Sequence, residues 1–532
     1  MTTRPQPDWE DPVGGFRWSN RILILAIAGI LFLTLYPFRF AFNGHLLTAA
    51  SPFFLEKPGK VSGKVSGKVS GLSDDFLNVL LFVPYGFGLA GKIRERGKSP
   101  MAALAWTFTA GALFSYSIEF LQFFIPDRDS GWEDVVTNSI GAVVGCLAFQ
   151  YCGLAVFQLL SGWERAVSAF ATVRNTAIVL LLYFGVWFAV SARLQKETAL
   201  SNWNSDALLV VGNSASGQSA SAWRGKVYGL EFWDRAIPDE AARRLTSAGA
   251  PGPLDATALA AYDFLGSPPF QDARHFLPAL SWAGKVPEST DSNGAVFNGD
   301  SWLTSRDPVS NLAEDFRRTP QFAVRITCEP TEIQGVDARI LSISKASGPP
   351  NLELRQQDSD LVFWFRNPLS MQRTRMSWTI PDVFAAKQTR DILFSYDGSN
   401  LSFFIDGTKR RRTYELGPGA GLARAIRRIK TAELEGYEYI FYALVFVPAG
   451  CLLGFTWRKM PAQPFARFVL VVLGFVLPSV LFEIVLFRVG VRAISLGNIG
   501  LGILMACAGS LWINVGHNLK EPMKSAAEAP PK

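Results

Sequence analysis

Residues 81–91 read LFVPYGFGLAG and residues 117–145 read SIEFLQFFIPDRDSGWEDVVTNSIGAVVG, two apolar segments that carry proline, carboxylate and amide side chains. Near the other end of the chain, VFVPAGCLLG at 445–454 and SVLFEIVLFRVGVRAISLGNIGLG at 479–502 repeat this pattern. Apolar sequence of this length crosses a bilayer as a helix, where a charged side chain is costly and therefore informative. The pattern predicts a membrane-embedded helical bundle that is duplicated within one chain.

The two copies align on a few residues. Pro84 and Pro448 differ by 364 in residue number, and so do Glu119 and Glu483. Two later pairs differ by 360, Arg128 with Arg488 and Asn138 with Asn498. We therefore expect that the second copy lost about four residues between its glutamate and its arginine.

The composition points to a mixture of membrane and water-facing parts. Of the 532 residues, 49% are hydrophobic and 18% are charged, and the mean hydropathy is +0.17. These values are too apolar for a soluble enzyme and too polar for membrane helices alone. Apolar windows long enough to cross a bilayer predict eight spans, at about 20–38, 75–91, 101–125, 134–155, 174–192, 438–456, 466–487 and 493–514.

Lysine and arginine are concentrated in the short segments that share one side of the membrane with both termini. The positive-inside rule then predicts cytoplasmic termini and an extracytoplasmic segment at residues ~195–432. The net charge of +7 follows from this topology, so we expect no nucleic-acid partner. The five cysteines and three histidines lack the spacing of a disulfide framework, a zinc site or a Ser-His triad. We expect no cofactor and no metal site.

The predicted fold is a polytopic α-helical membrane bundle of two parallel repeats, with an all-β jelly-roll sandwich inserted between them. Its predicted parts are the first membrane half, a cytoplasmic connection with the fifth span, the extracytoplasmic sandwich, the second membrane half and a cytoplasmic tail, at residues 1–160, 161–194, 195–432, 433–516 and 517–532.

The inserted segment has the pattern of short strands. DILFSYDGSNLSFFIDGTK at 391–409 gives two alternating apolar runs around a turn, with a second turn at Asp406-Gly407. Further short strands are predicted at 321–330, 338–344, 351–357 and 360–366. Many short strands at regular spacing favour a two-sheet sandwich. The segment LARAIRRIK at 422–430 is expected to form an amphipathic helix on the lipid headgroups.

This segment resembles the concanavalin A-like, laminin G-like jelly rolls. AVFNGDSWL at 295–303 resembles their opening strand, LFSYDGSNLSFFIDG at 393–407 their central hairpin, and residues 208–245 their closing strands and terminal helix. Because the closing element comes first here, the resemblance implies a circular permutation. It also implies binding of glycans or proteins, in some members through Ca²⁺, although the sequence has no Asp/Asn cluster typical of a calcium site.

Residues ~75–155 resemble the VanZ-like family of bacterial membrane proteins. The motifs that carry the resemblance are FVPYG, IEFLQFF, PDRD and EDVVTNSIGAVVG, with the residues Asp75, Asn78, Glu119, Gln122, Arg128, Asp134, Asn138, Gly141 and Gly145. The resemblance implies a multi-pass protein of the bacterial cytoplasmic membrane, linked in the family's namesake to low-level glycopeptide resistance. It implies no settled biochemical activity.

Seven polar side chains of the first copy are expected to converge at the level of the outer leaflet: Asp75, Asn78, Glu119, Gln122, Arg128, Asp134 and Asn138. An intramembrane carboxylate needs a partner, and Arg128 is the partner expected for Glu119. The sequence also permits structural interpretations. Asp134 fits the first turn of a helix that opens with a capping box at Ser130–Glu133. The spacing of Gly141 and Gly145 is typical of close helix packing.

The second copy differs at several of these positions. In the alignment above it has Tyr439, Tyr442 and Ile494 where the first copy has Asp75, Asn78 and Asp134. Either the shared glutamate, arginine and asparagine are the minimum that the fold requires, or the second copy has lost an activity. We favour a degenerate second copy and place any active site in the first.

Three functions are compatible with these observations. In the first, the bundle recognises a lipid-linked or headgroup ligand at the outer leaflet, and the sandwich binds an envelope polysaccharide or an envelope protein. In the second, the chain is an enzyme acting on a lipid-linked glycan or peptidoglycan precursor, with Glu119 or Asp134 as general acid or base and Arg128 on a phosphate. The third is a transporter with a site between two repeats. We favour binding over catalysis.

Overall fold

The computed structural model describes residues 15–36, 38, 40, 71–125, 131–218, 221–247, 253–285, 294–371, 376–410, 413–426, 436–460, 463–490 and 492–518. The chain divides into two compact units, residues 1–172 with 515–532, and residues 173–514. Eight helical segments within the described residues are long and apolar enough to cross a membrane. The protein is therefore a multi-pass membrane protein with a β domain, as the sequence predicts.

The first unit contains a four-helix membrane half. Its helices are α1 (Gly15–Leu35), α2 (Gly71–Glu95), α3 (Pro100–Phe123) and α4 (Trp132–Phe170). Helix α4 approaches α2 so closely that a Cβ atom on Gly141 would lie 2.2 Å from the carbonyl oxygen of Val79. A Cβ atom on Gly145 would lie 2.1 Å from the carbonyl oxygen of Val83. The prediction that these glycines allow close packing is confirmed.

The second unit opens with helix α5 (Val173–Lys196), which leads into the β domain. One sheet has seven strands in the order β11-β10-β9-β8-β1-β6-β4. The other has the order β14-β13-β12-β7-β2-β3, with β5 on β2 and β15 on β13. The strands are β1 (Leu208–Val211), β2 (Arg224–Trp233), β3 (Ala260–Asp263), β4 (Leu280–Gly284), β5 (Ala295–Asn298), β6 (Ser301–Ser305), β7 (Phe322–Pro330), β8 (Asp337–Ser344), β9 (Leu352–Gln357), β10 (Asp360–Phe365), β11 (Trp378–Ile380), β12 (Arg390–Tyr396), β13 (Asn400–Ile405), β14 (Thr408–Lys409) and β15 (Tyr414–Glu415).

An aromatic core joins the two sheets. Phe363 and Phe365 of β10 pack against Trp378 of β11 and against Phe394 and Tyr396 of β12, and all five are fully buried. Burial of each such side chain contributes about 1.5–3 kcal/mol. The predicted hairpin is confirmed by antiparallel pairing of β12 with β13. Membership of a concanavalin-like family stays a prediction.

Short helices cover the edges of the β domain, and one of them corrects an expectation. They are α6 (Asp239–Ser247), α7 (Ser310–Arg318), α8 (Pro368–Met371) and α9 (Pro418–Ile426). Ala420 and Ala423 of α9 lie in the core of the domain, and Arg424 is only 5% exposed. The prediction of a headgroup helix is wrong for residues 422–426, because small alanines let this helix pack into the protein. Residues 427–430 lie outside the described residues.

The second membrane half consists of α5 and the helices that follow the β domain. They are α10 (Tyr437–Lys459), a span built from α11 (Pro464–Val471), a π-helical turn (Val472–Val476) and α12 (Leu477–Gly490), and α13 (Leu496–Asn518). A Cβ atom on Gly509 of α13 would lie 2.2 Å from the carbonyl oxygen of Val447 of α10. The α13–α10 contact therefore repeats the α4–α2 contact.

Backbone contacts give the correct alignment of the two halves. Gly145 meets Val83 and Gly509 meets Val447, so both partners differ by 364 in residue number. This offset is the one that relates the glutamates, and it continues past them without a gap. The expected loss of four residues is wrong. The positions equivalent to Arg128, Asp134 and Asn138 are Arg492, Asn498 and Gly502, rather than Arg488, Ile494 and Asn498.

Candidate functional site

The site of the first membrane half is centred on a buried carboxylate. Glu119 of α3 is 2% exposed, and its Oε2 accepts a hydrogen bond of 3.0 Å from the backbone N–H of Gly131. Gly131 is the N-cap of α4, so the positive end of that helix faces the carboxylate. Ser115 and Gln122 are spaced four and three residues from Glu119, which puts all three side chains on one face of α3.

Two amide side chains beside Glu119 have acceptor oxygens that receive no hydrogen bond from the described residues. Asn138 of α4 donates from Nδ2 to Ser115 Oγ at 2.9 Å, and Gln122 donates from Nε2 to the carbonyl oxygen of Thr34 at 2.8 Å. Among the described residues, Asn138 Oδ1 and Gln122 Oε1 are buried and accept no hydrogen bond. An unsatisfied buried acceptor costs about 1–3 kcal/mol. Among the described residues, the site therefore has two amide oxygens that could each accept a hydrogen bond from a ligand. We name Ser115, Glu119, Gln122 and Asn138 the Glu119 cluster.

The other predicted residues of this site have different positions. Asn78 of α2 donates from Nδ2 to Asp134 Oδ1 at 2.7 Å, which joins α2 to the first turn of α4. Asp75 is exposed. Arg128, the expected partner of Glu119, and Ser130 of the expected capping box lie outside the described residues. The structure thus pairs Asn78 with Asp134, and it also brings together the four members of the Glu119 cluster. The Glu119–Arg128 pair stays a prediction.

The second membrane half has a closed version of the same site. Glu483 of α12 is fully buried, and its Oε1 accepts from the Tyr442 hydroxyl at 2.5 Å and from Arg492 Nη2. Its Oε2 accepts from the backbone N–H of Ser495 at 3.2 Å. Ser495 lies twelve residues after Glu483, as Gly131 does after Glu119, so the two carboxylates have the same backbone donor. Arg488, the arginine expected here, is exposed.

Several residues differ between the two sites, and one difference lies directly beside the carboxylate. Tyr442, which donates to Glu483, is equivalent to Asn78, and Asn78 donates to Asp134 instead of Glu119. In the second half a phenol ring and its hydroxyl therefore fill the space beside the carboxylate. The first half has a shorter side chain there, and it is directed to another partner.

A second buried carboxylate lies near Glu483, and sequence reasoning missed it. Glu438, in the first turn of α10, is 6% exposed; its Oε2 accepts from the backbone N–H of Gly419 at 3.0 Å. Its Oε1 is buried without a hydrogen-bond partner among the described residues. The strongest charged neighbours of Glu438 are Arg492, Glu415 and Glu483. The available signal was a glutamate at the start of an apolar span. We name Glu415, Glu438, Tyr442, Glu483 and Arg492 the Glu438 cluster.

Two members of the Glu438 cluster lie outside the spans, and their pKa values are shifted. Burial raises the pKa of Glu415, and Arg492 lowers it only in part. Burial lowers the pKa of Arg492, but Glu483 and its neighbours raise that pKa above its ordinary value. The guanidinium therefore stays charged and is held by Glu483.

The β domain has a polar groove on the outward face of the seven-stranded sheet. A cavity of about 150 Å³ lies over β8 and β9, and a second of about 70 Å³ lies over β9 and β10. Glu353, 5% exposed, lines both cavities, with its Oε2 3.3 Å from Arg339 Nε. Ser342 Oγ lies in the larger cavity and has no partner among the described residues. Arg355 and Trp364 line the smaller one.

The described residues hold no group of three or more His, Cys, Asp or Glu side chains arranged for a metal ion. All five cysteines are free. The chemistry that these sites offer is hydrogen bonding by a carboxylate and amides in the membrane half, and by a carboxylate, guanidinium groups and a hydroxyl in the β domain.

Comparison with known proteins gives a family similarity for the first membrane half. Residues 21–156 match the family model described as VanZ/LLP1. No curated protein and no solved structure matches the chain significantly. The match supports the resemblance of the first half and suggests a membrane protein of the cell envelope.

Proposed function

We propose that this protein acts in the cell envelope by recognising a lipid headgroup or a lipid-linked ligand with the Glu119 cluster. The observation that carries the proposal is the set of buried acceptors there. Glu119 has one backbone donor on Oε2, and Gln122 Oε1 and Asn138 Oδ1 have no donor among the described residues. A ligand with ammonium or hydroxyl groups would supply donors to these atoms.

The second half supports this assignment by contrast. There the Tyr442 hydroxyl and the Arg492 guanidinium supply donors to Glu483. In the sequence of the first half, Arg128 is equivalent to Arg492 and Asn78 is equivalent to Tyr442. We propose that the ligand takes the place of the tyrosine hydroxyl beside Glu119. Arg128 would bind its phosphate, since a guanidinium donates two parallel hydrogen bonds to phosphate oxygens.

Replacement of Glu119 by Gln is expected to abolish stabilisation of the protein by its ligand. A ligand at 100 times its Kd stabilises the folded protein by about 2.7 kcal/mol, and the amide removes the charge that attracts an ammonium or strengthens a hydroxyl contact. The measurement is the melting temperature of the purified full chain in detergent. Phosphatidylethanolamine, phosphatidylglycerol and a polyprenyl-phosphate sugar would be added separately.

The matched control is Glu133→Gln, because Glu133 lies in the first turn of α4, next to the N-cap that donates to Glu119, but is exposed. This variant should keep the full lipid-induced shift. If Glu119→Gln and the wild type shift equally with the same lipid, the Glu119 cluster is not the binding site. If none of the three lipids shifts the wild type, the proposed ligand class is wrong.

We further propose that the groove on the seven-stranded sheet binds an envelope glycan. A carboxylate paired with a guanidinium recognises vicinal hydroxyls by paired hydrogen bonds, and Glu353 and Arg339 form such a pair at 3.3 Å. Trp364, which is only 2% exposed, lines the smaller cavity beside Arg355. Ser342 is a further polar residue that lines the larger cavity together with Arg339 and Glu353.

Replacement of Glu353 by Gln is expected to weaken glycan binding at least about tenfold, because a hydrogen bond to a charged group contributes about 1.5–3 kcal/mol. The measurement is the affinity of the detergent-solubilised full chain for peptidoglycan fragments and for chitooligosaccharides. Glu314→Gln, on the exposed side of α7, is the control and should bind as the wild type does. Equal affinities for Glu353→Gln and the wild type would place the glycan elsewhere or exclude it.

A further inference from the structure

The turn between β12 and β13 lies against the end of helix α5. Gln195, in the last turn of α5, donates from Nε2 to the Gly398 carbonyl oxygen at 3.1 Å and to Ser399 Oγ at 3.0 Å. Thr198 Oγ1, just after α5, donates to the same Gly398 oxygen at 2.8 Å. Gln195, Thr198 and Ser399 are each at most 2% exposed. The β domain and α5 therefore share a buried, hydrogen-bonded contact.

Two glycines bring the same turn onto the end of α12. A Cβ atom on Gly398 would lie 2.7 Å from the carbonyl oxygen of Gly490, the last residue of α12. A Cβ atom on Gly490 would lie 2.7 Å from Gln195 Nε2, the atom that donates to Gly398. Gly398 also has a φ of +92°, in the left-handed region that favours glycine. The turn, α5 and α12 thus meet at one point, and we name Gln195, Thr198, Gly398, Ser399 and Gly490 the seat.

The seat adjoins the buried ion pair of the second membrane half. Arg492 lies two residues after Gly490, and a Cβ atom on Gly398 would lie 3.8 Å from the Cβ atom of Arg492. Arg492 Nη2 donates to Glu483 Oε1, and the two residues are 5% and 0% exposed. The backbone that positions Arg492 on Glu483 is therefore the backbone on which the turn packs.

The turn is itself held firmly within the β domain. Asp397 Oδ1 accepts hydrogen bonds from the backbone N–H groups of Ser399 and Asn400 at 2.9 and 2.6 Å, which closes the turn. Tyr396, in the aromatic core, donates its hydroxyl to the Thr198 carbonyl oxygen at 2.8 Å. Packed interfaces change between discrete arrangements rather than deform continuously. We therefore expect the turn to move only together with the β domain.

We infer that the seat couples the β domain to the buried ion pair: with the turn seated, the domain and the second membrane half move as one body and Arg492 is held on Glu483, and displacement of the turn frees both. Coupling between two sites is reciprocal, so loss of the ion pair should also loosen the domain. The inference is independent of the ligands proposed above, because all of its contacts lie within the chain.

The test is the distance between two nitroxide labels, measured by pulsed EPR on the full chain in nanodiscs. The labels are placed at the exposed residues Glu314 of α7 and Leu496 of α13. Attachment through an unnatural amino acid leaves the five free cysteines unchanged. The wild type should give one narrow distance distribution. Gly398→Ala should give a broad one, because its methyl group would clash with the Gly490 carbonyl oxygen.

The matched control is Gly407→Ala, at the other end of β13. Gly407 also has a positive φ, +75°, and its added Cβ atom would lie 2.7 Å from the Cβ atom of Ser247 of α6. This strain lies within the β domain, so the distance distribution should stay narrow. Gln195→Ala removes two hydrogen bonds to the turn. It should broaden the distribution and replaces Gly398→Ala if that variant does not fold.

The ion pair has a separate readout, hydrogen–deuterium exchange of the Ser495 amide, which donates to Glu483 Oε2 at 3.2 Å. Its protection should fall by about 2- to 150-fold in Gly398→Ala, the range expected for coupled residues in contact, and stay unchanged in Gly407→Ala. Arg492→Leu should in turn broaden the label distances.

Three results would overturn the inference. The first is a broad distance distribution in the wild type, which would mean that the domain is not seated. The second is equal breadth in Gly398→Ala and Gly407→Ala, or narrow distributions in both Gly398→Ala and Gln195→Ala. The third is unchanged Ser495 protection in Gly398→Ala together with a narrow distribution in Arg492→Leu, which would separate the seat from the ion pair.

Discussion

Replacement of Glu483 by Leu is expected to lower the free energy of unfolding by about 3–5 kcal/mol, the usual cost of removing one partner of a buried ion pair. Arg492 is 5% exposed and would keep its charge without this carboxylate, and the Tyr442 hydroxyl would lose its acceptor. Arg492→Leu is expected to cost a similar amount, because it leaves Glu483 charged and fully buried. The measurement is the unfolding free energy of the full chain in mixed micelles.

The double replacement Glu483→Leu with Arg492→Leu should cost less than the sum of the two single changes by about 1–3 kcal/mol, since neither charge is then left alone. The control is the exposed pair Glu240–Arg244 on α6, whose side chains are 78% and 77% exposed. Its disruption should cost less than about 1 kcal/mol. Additive effects of the two buried changes would mean that Arg492 and Glu483 do not stabilise one another.

The sequence predicted the architecture because hydrophobic patterning determines it locally. The eight apolar windows and the alternating runs of the β domain correspond to helices and strands of the structure. Each of these patterns reflects which faces of a single element are buried. The prediction failed at residues 422–426, where the basic helical pattern suggested a lipid surface. The packing of Ala420 and Ala423 into the β domain depends on sheets distant in sequence, so local pattern could not reveal it.

The repeat alignment failed for a different physical reason. It matched identical letters, Arg128 with Arg488 and Asn138 with Asn498, and so introduced a gap. The structure instead preserves backbone contacts, such as the N–H of Gly131 or Ser495 on its glutamate. A backbone donor can come from any residue type except proline, so letter identity does not detect it. Arg128 and Arg492 differ by 364 in residue number, as Glu119 and Glu483 do. This equal offset was the available signal.

The duplication separates two uses of one helical framework. In the first half the carboxylate has buried amide neighbours whose oxygens accept no hydrogen bond from the part of the chain that the structure describes. In the second half a tyrosine and an arginine satisfy the equivalent carboxylate, and the β domain covers the adjoining Glu438. The second copy thus lacks several polar residues of the first copy, but it has a buried charge cluster of its own. This difference is why ligand binding is proposed for the first half.

Replacement of Gly145 or Gly509 by Ala is expected to destabilise the protein by about 1–3 kcal/mol or more, the cost of overpacking a close contact. The added Cβ atom would lie 2.1 Å from the Val83 carbonyl oxygen in the first half and 2.2 Å from that of Val447 in the second. Both neighbours are backbone atoms of a packed helix, so relief requires that two helices separate. The measurement is the temperature at which half of the purified protein loses its monodisperse elution.

The matched controls are Gly162→Ala in α4 and Gly185→Ala in α5, where no atom lies within 4 Å of the added Cβ. Because alanine is favoured over glycine in a helix by about 1 kcal/mol, these two variants should be neutral or stabilising. The same chemical change is therefore expected to have opposite signs at contact and open positions of the membrane helices. Equal effects at all four positions would show that the α2–α4 and α10–α13 contacts are looser than the distances at Gly145 and Gly509 indicate. Destabilisation at Gly145 without an effect at Gly509 would limit the tight contact to the first membrane half.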